Sequence, residues 1–366
     1  LVKAIHPDRI KTLLVRGTNW VGDAVMSVPA LREMRRTFAN AHIVLLVRPW
    51  VKDVYAATDF VDEILVYDKA GNHHGRSGMR RLVRELKSRK FDMAVLLQNA
   101  FEAAWIAFWA RIPIRLGYAR DARSVLLTHA IPIDPTVHRV HQAYYYLGIL
   151  SGAGVLAEHP WKQKHYQLDS IRLGVCESDA LVARELLRAR GVAGDAPIVG
   201  INPGASYGGA KRWPAERFAS VADAVATEFG ARIVIFGAPK ELPIAQQVAD
   251  AMASPSVVLA GMTTLGQLMG LIKECRLFIT NDSGPMHLAA ALGVPQLAIF
   301  GSTSEIATGP LSPSAQVIKY QVDCNPCFLR ECPIDFRCML GISVQEVVVA
   351  ARARMSLFVA QSDASV

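Results

Sequence analysis

The sequence predicts an α/β protein of two doubly wound, Rossmann-like domains. Two observations predict it: short β-branched and Leu-rich runs alternate with longer helical patterns, and the alternation restarts after a polar interval near the middle of the chain. Each return to a parallel strand needs a helix-length crossover, so this alternation reads as βαβ units rather than a sandwich. The 366 residues, 51% hydrophobic and 20% charged, suffice for two such cores and exclude a disordered or fibrous chain.

In the first half, strands are expected at 12–16, 43–47, 63–66 and 93–98, on runs such as Leu13-Leu14-Val15 and Ile43-Val44-Leu45-Leu46-Val47. Helices are expected near 24–38, 50–57, 78–90 and 101–110. After a helix over 177–190 that ends at Gly191, strands recur at 198–202, 232–236, 257–259, 277–280 and 296–300. Helices follow at 215–229, 242–253, 264–274 and 285–292. The closing helix, 343–359, opens on Ser343 with Glu346 three residues later, the spacing of a capping box. The boundary falls near 165–176, giving domains at 1–170 and 171–342 and a terminal helix within 343–366.

Residues 1–170 hold 24 Lys and Arg against 15 Asp and Glu, and the remainder 16 against 17, so the first half carries the whole net charge of +8. A basic half suits nucleic acid, an anionic membrane or an acidic substrate. No nucleic-acid recognition motif or aromatic stacking platform accompanies it. The run Arg80, Arg81, Arg84, Lys87, Arg89 and Lys90 reads equally as a solvated helix face. The apolar stretch 103–110 is far short of the ~20 residues that span a bilayer, and the first sixteen residues lack a secretory pattern, so a cytoplasmic protein is expected.

Four segments at strand-to-helix junctions carry chemistry. Arg16-Gly-Thr-Asn-Trp-Val-Gly-Asp23 follows the first strand and sets Asp23 at a helix start, as a cap or as a general base. Asn202-Pro-Gly-Ala-Ser-Tyr-Gly-Gly-Ala-Lys211 offers bare loop amides, Ser206 and the Lys211 ammonium as a phosphate cradle. It is not a Walker loop, and no GxGxxG follows the first strand, so P-loop and NAD chemistry lose ground. Thr280-Asn-Asp-Ser-Gly-Pro-Met-His287 places Asp282, Ser283 and Gly284 at a helix amino terminus suited to a diphosphate, with His287 one turn in, packed or functional. Glu241, just after the strand ending at Phe236, is either a ribose-binding acid or an ordinary helix-start carboxylate. Separately, Cys324, Cys327, Cys332 and Cys338 form C-x2-C-x4-C-x5-C, readable as a zinc site or as plain thiols.

Together the segments resemble the ADP-heptose:lipopolysaccharide heptosyltransferases of glycosyltransferase family 9. Asn19-Trp-Val-Gly-Asp-Ala-Val-Met-Ser27, Gln98-Asn-Ala-Phe101 with Ile112-Pro-Ile-Arg-Leu-Gly-Tyr118, Pro203 to Pro214 and Thr280 to His287 carry the resemblance from Leu13 to about Val348. The Ala-Lys-Arg-Trp-Pro run favours the type II branch over type I. The resemblance implies a GT-B fold, with the acceptor on the first domain, the nucleotide sugar on the second, and the last helix crossing back onto the first. It implies inverting transfer from ADP-heptose to the first heptose of the inner core (heptosyl-Kdo2-lipid A), without a catalytic metal or other cofactor and without nucleic acid. Asp23 matches the family's base. Ser206, Tyr207, Gly208, Gly209, Lys211, Asp282, Ser283, Gly284 and His287 match the donor phosphate site, and Glu241 a ribose contact. A phosphorylated glycolipid acceptor implies peripheral attachment to the anionic cytoplasmic face of the inner membrane, with Arg32, Arg35, Arg36, Arg120 and Arg123 as candidate contacts. A nucleotide-sugar-binding module without transfer is the non-enzyme alternative.

Overall fold

Two six-stranded sheets, each parallel throughout, form the cores of two units, Leu1–Leu168 and Asp169–Val366. The structure, a computed structural model, describes residues 4–156, 158–163, 168, 170–192 and 194–363, with side chains to 356.

In the first unit, β1 (Thr12–Arg16), β2 (His42–Val47), β3 (Glu63–Val66), β4 (Met93–Leu96), β5 (Ile114–Tyr118) and β6 (His129–Ile131) pair in the order β3-β2-β1-β4-β5-β6. The central strands are buried on both faces, as a sheet covered on both sides requires. The expected helix over 24–38 is two, α1 (Val21–Met26) and α2 (Val28–Thr37), broken at Ser27. Pro29 is the cause: it has no N–H for the carbonyl one turn back, and its ring sits comfortably only in a first turn. The stretch expected as a helix over 50–57 is a 3-10 helix, Pro49–Tyr55. α3 (Gly75–Ser88) and α4 (Phe101–Trp109) follow, then α5 (Gln142–Gly152), which the sequence reading omitted.

In the second unit, β7 (Ile198–Asn202), β8 (Arg232–Ile235), β9 (Ser256–Val258), β10 (Leu277–Asn281), β11 (Gln296–Phe300) and β12 (Ala315–Lys319) pair as β12-β11-β10-β7-β8-β9. Read from its own first strand, this is the order of the first unit again. The helices are α6 (Glu177–Ala189), α7 (Ala215–Phe229), α8 (Leu242–Ala251), α9 (Leu265–Glu274), α10 (Gly284–Ala291), α11 (Glu305–Thr308), α12 (Arg337–Leu340) and α13 (Val344–Asp363). The Ser343 hydroxyl accepts from the Glu346 amide at 3.1 Å, one half of the expected box at the start of α13. α13 buries Val347, Val348, Ala351 and Met355 in the second unit's core beside α7. An apolar stripe must be covered, and α7 with the β10 and β11 strands covers this one.

In each sheet the winding reverses beside the first strand, between β1 and β4 and between β7 and β10. Loops leaving the carboxyl ends of those strands flank the crevice where doubly wound sheets bind ligands. Asp23 follows β1, Ser206 and Lys211 follow β7, Asp282 and Ser283 follow β10, and Glu241 follows the neighbouring β8.

Candidate active site

The first turn is built around β1. Gly17 fits because a Cβ there would stand 2.8 Å from Val47. The buried Arg16 guanidinium donates to the carbonyls of Gly17 (2.6 Å) and Leu46 (3.2 Å) and to Asn19 Oδ1 (2.9 Å), bracing the turn from beneath. Burial, and then the neighbouring Arg48 cation, push it down to about 10. The chain then enters α1, capped by Trp20 with no side-chain bond to the helix. Asp23 stands two residues further in and is not the cap.

Its carboxylate accepts instead from the Tyr146 hydroxyl of α5, Oδ1 to Oη 2.8 Å. Tyr146 is buried, and burial first and the Asp23 charge second hold its phenol well above the usual tyrosine value. It therefore remains a neutral donor across the working range of pH. Tyr55, also raised by burial, donates to the Ala24 carbonyl at 3.1 Å and stands 3.2 Å from Ser27 Oγ. Asp23 is thus part-buried, fixed by a phenol and rooted in a pinned helix.

The basic residues offered as acceptor contacts divide. Arg123 is fully buried and donates to the carbonyls of Tyr118 (2.9 Å) and Gln98 and to Asn99 Oδ1 (3.0 Å), so it ties β4 to β5 and is no surface contact. Its five donors in the interior need fixed acceptors, and the strand ends supply them. Arg35 and Arg36 are paired with Asp62 and Glu33, and Arg32 lies 3.7 Å from Asp59. Arg120 stays exposed, 3.5 Å from the Tyr145 hydroxyl.

In the second unit Lys211 Nζ lies 2.5 Å from Asp282 Oδ2, with both side chains largely buried. The same oxygen accepts from Thr303 Oγ1 at 2.6 Å, and the ammonium lies 4.8 Å from the centre of the Tyr207 ring. Asp282 thus holds the Lys211 ammonium and is itself held by Thr303. Ser283 caps α10 without bonding its amides; Asn202 Nδ2 donates to its hydroxyl and to Thr280 Oγ1, both at 3.2 Å. Gly284 opens α10, and His287 is buried one turn in.

The glycine loop departs from the expected cradle. Two of its amides are taken up: Gly209 N donates to Glu331 Oε1 (3.0 Å) and Ala210 N to the Arg330 carbonyl (2.9 Å). Tyr207 donates to the Phe328 carbonyl at 2.7 Å, and an added Cβ on Gly208 would stand 2.3 Å from the Arg330 carbonyl oxygen. The cysteine-bearing segment is what fills that space. Sequence spacing carries no trace of this docking. Cys324, Cys327, Cys332 and Cys338 are free thiols, and among the described residues no three potential ligands stand together as a metal site. Burial, then the nearby Cys324 and Cys332, push the Cys338 thiol up.

Glu241 meets the same loop from the other side. Its carboxylate accepts from Ala238 N (2.9 Å) and from Ser206 Oγ (3.3 Å). Gly204 leaves room for it, since a Cβ there would stand 2.3 Å from the Glu241 carboxyl carbon and would displace that carboxylate. Around the ends of β7, β8 and β10 the structure thus brings Ser206 onto Glu241, and Tyr207 and Asp282 onto Lys211, while Ser283 stands with Asn202 and Thr280. Tyr146, Asn202 and Thr303 escaped the sequence reading, because nothing marks a residue whose partner lies far along the chain.

Comparison with known proteins bears on the family and the fold. The family model glycosyltransferase family 9 (heptosyltransferase) matches residues 79–336. Lipopolysaccharide heptosyltransferase 2 of Salmonella typhimurium is 32% identical over 84% of this chain and 87% of its own, and the Escherichia coli K12 protein of that name 30% over 84% and 87%. The solved structure of the E. coli ADP-heptose lipopolysaccharide heptosyltransferase II superposes with a TM-score of 0.80 at 26% identity, covering 95% of this chain and 99% of that one. A family 9 structure from Veillonella parvula gives 0.82 at 27%, covering 96% and 98%. The paired sheets are those of the GT-B fold, and the chain belongs to glycosyltransferase family 9, the heptosyltransferases.

Proposed function

We propose that this enzyme moves L-glycero-D-manno-heptose from ADP-heptose, with inversion, to the first heptose of the lipopolysaccharide inner core. The observation that carries the reading is one carboxylate, Asp23, held by a neutral phenol in the first unit, and one aimed cation, Lys211, in the second, each at the switch point of its sheet. The names of the heptosyltransferase 2 relatives supply the substrate class.

The first unit holds the acceptor and the second the donor. An acceptor hydroxyl oxygen bonds to the anomeric carbon as its proton passes to Asp23, while the bond from that carbon to the diphosphate oxygen breaks on the opposite face. ADP departs with the electron pair. General-base assistance of this kind contributes about 10²–10⁴-fold. Negative charge grows on the departing diphosphate, so Lys211 and the first amides of α10 favour the transition state over the ground state. Fixed groups do here what a divalent cation does elsewhere, and the reaction takes no resident metal or cofactor. Glu241 receives a ribose hydroxyl in place of that of Ser206. Among the described residues no helix is long and apolar enough to cross a membrane. The membrane-borne acceptor calls for peripheral attachment to the cytoplasmic face of the inner membrane.

ADP release and product mass test the reading with two acceptors, heptosyl-Kdo2-lipid A and Kdo2-lipid A. Transfer to the first alone is expected. Preference for the second assigns the type I reaction, and inertness toward both removes the proposal.

A further inference from the structure

The face of the first unit formed by α3 and α4 was not absorbed by the site. Along α4, Phe101, Trp105, Phe108 and Trp109 fall at helical spacing on one side, while Ala103, Ala104, Ile106, Ala107 and Ala110 face the core. Phe101, Phe108 and Trp109 are 45%, 42% and 54% exposed. The rings of Trp105 and Trp109 lie 5.9 Å apart and those of Phe108 and Trp109 6.0 Å apart, so the stripe is continuous. Contiguous exposed aromatic surface of this kind marks an interaction site.

Its chemistry is specific. The recess at the end of α4 is lined by Phe108 and Trp109 with Lys87, Arg111 and Arg115, and no carboxylate lines it among the described residues. The Arg115 guanidinium lies 5.4 Å from the centre of the Phe108 ring. Arg111 occupies a left-handed backbone position (φ +59°), where glycine would be easier, and is exposed there. Neighbouring α3 exposes Arg76, Arg80, Arg81, Arg84 and Lys87, and its one acid, Glu85, is paired with Arg89. Aromatic rings beside unpaired cations suit the headgroup zone of an anionic bilayer, where rings enter the interface and cations meet phosphates.

We propose that the α3–α4 face docks this enzyme on an anionic phospholipid surface, Phe108 and Trp109 entering the interface and α3 with Lys87 and Arg111 meeting the headgroups. The proposal rests on the reading that the acceptor is membrane-borne, and it moves the membrane contact away from Arg32, Arg35, Arg36 and Arg123. The stripe begins at Phe101, by the carboxyl end of β4, the sheet end that carries the site.

Co-sedimentation of the full chain with phosphatidylethanolamine/phosphatidylglycerol vesicles, against phosphatidylcholine vesicles, tests it. Binding to the anionic vesicles is expected to fall at least about tenfold in Phe108→Ser/Trp109→Ser. In Lys87→Ala/Arg111→Ala it is expected to fall roughly twentyfold, about fivefold per charge. Both variants should transfer to a deacylated, water-soluble acceptor as wild type does. Unchanged vesicle binding in the variants, or equal wild-type binding to both vesicle types, overturns the proposal. So does a wild-type dimer that the aromatic variant disperses while vesicle binding persists, since the face then belongs to a second copy. Vesicle binding that follows the expected pattern without heptose transfer to any acceptor sinks the functional reading alone. Normal transfer with unaltered vesicle binding in the variants sinks the docking surface alone.

Discussion

The first unit sets a carboxylate at its switch point amid buried phenols and guanidinia, whereas the second, with the same strand order, sets a lysine–aspartate pair amid hydroxyls and a helix amino terminus. Topology fixes where each site lies, and the loop sequence decides what it can do. Glycine spacing after β7 makes room for neighbouring chain and for Glu241, while the turn after β1 is braced by arginine and leads into a helix pinned by tyrosine. One unit supplies basicity, the other positive charge.

The sharpest way to break that division is to remove one member from each unit. Asp23→Ala should lower turnover by about 10²–10⁴-fold and leave the dissociation constant for ADP-heptose close to wild type, measured by single-turnover transfer and donor titration. Substantial residual turnover would remove Asp23 from its role. Lys211→Ala should weaken donor binding and slow transfer by roughly 10²-fold. It also strands a buried carboxylate, at a cost of about 3–5 kcal/mol in the unfolding free energy of the second unit. Adding Asp282→Asn should restore the stability and not the donor affinity, which separates aiming from folding. A chelator should leave wild-type transfer unchanged.

A smaller effect concerns alkali. Burial holds Tyr55, Tyr118 and Tyr146 well above their usual value and, with the Glu102 charge, brings Tyr67 to about 12, all in the first unit. The unfolded chain releases those protons near pH 10 and the folded chain does not, so folded-state stability is full below 10 and falls as pH rises beyond it. Arg16 and Arg123, each pushed down to about 10, act in the opposite sense. Four groups outweigh two. Burial pushes Cys275 and Cys338 up in the second unit in the same sense as the tyrosines, so alkali above pH 10 should weaken both units, as limited proteolysis would read.

Much of the second site was legible in the sequence, because Gly-rich loops after β-branched runs place Ser206, Lys211, Asp282 and Glu241 at strand ends. Asp23 was legible as a position, yet its partner Tyr146 lies 123 residues on, in an aromatic helix with a balanced hydrophobic pattern. β5, β6 and β12 escaped because Arg115, Gly117, His129 and Gln316 interrupt their short apolar runs. Bare loop amides were expected since nothing local announces that Arg330 and Glu331 will occupy them. Local pattern reports where the backbone turns, and long-range contacts decide which of its donors remain available.

The absent side chain of Gly208 lets the backbone of Arg330, 122 residues further on, press into the proposed donor loop. The contour of that loop is consequently inherited from two distant stretches of gene rather than one. Drift in the cysteine-bearing segment would reshape the proposed nucleotide site with every loop residue intact. If that loop holds the donor as proposed, donor preference can evolve from outside the pocket, while position 208 stays glycine whatever side chain position 330 carries, because it is the backbone of Arg330 that fills the space.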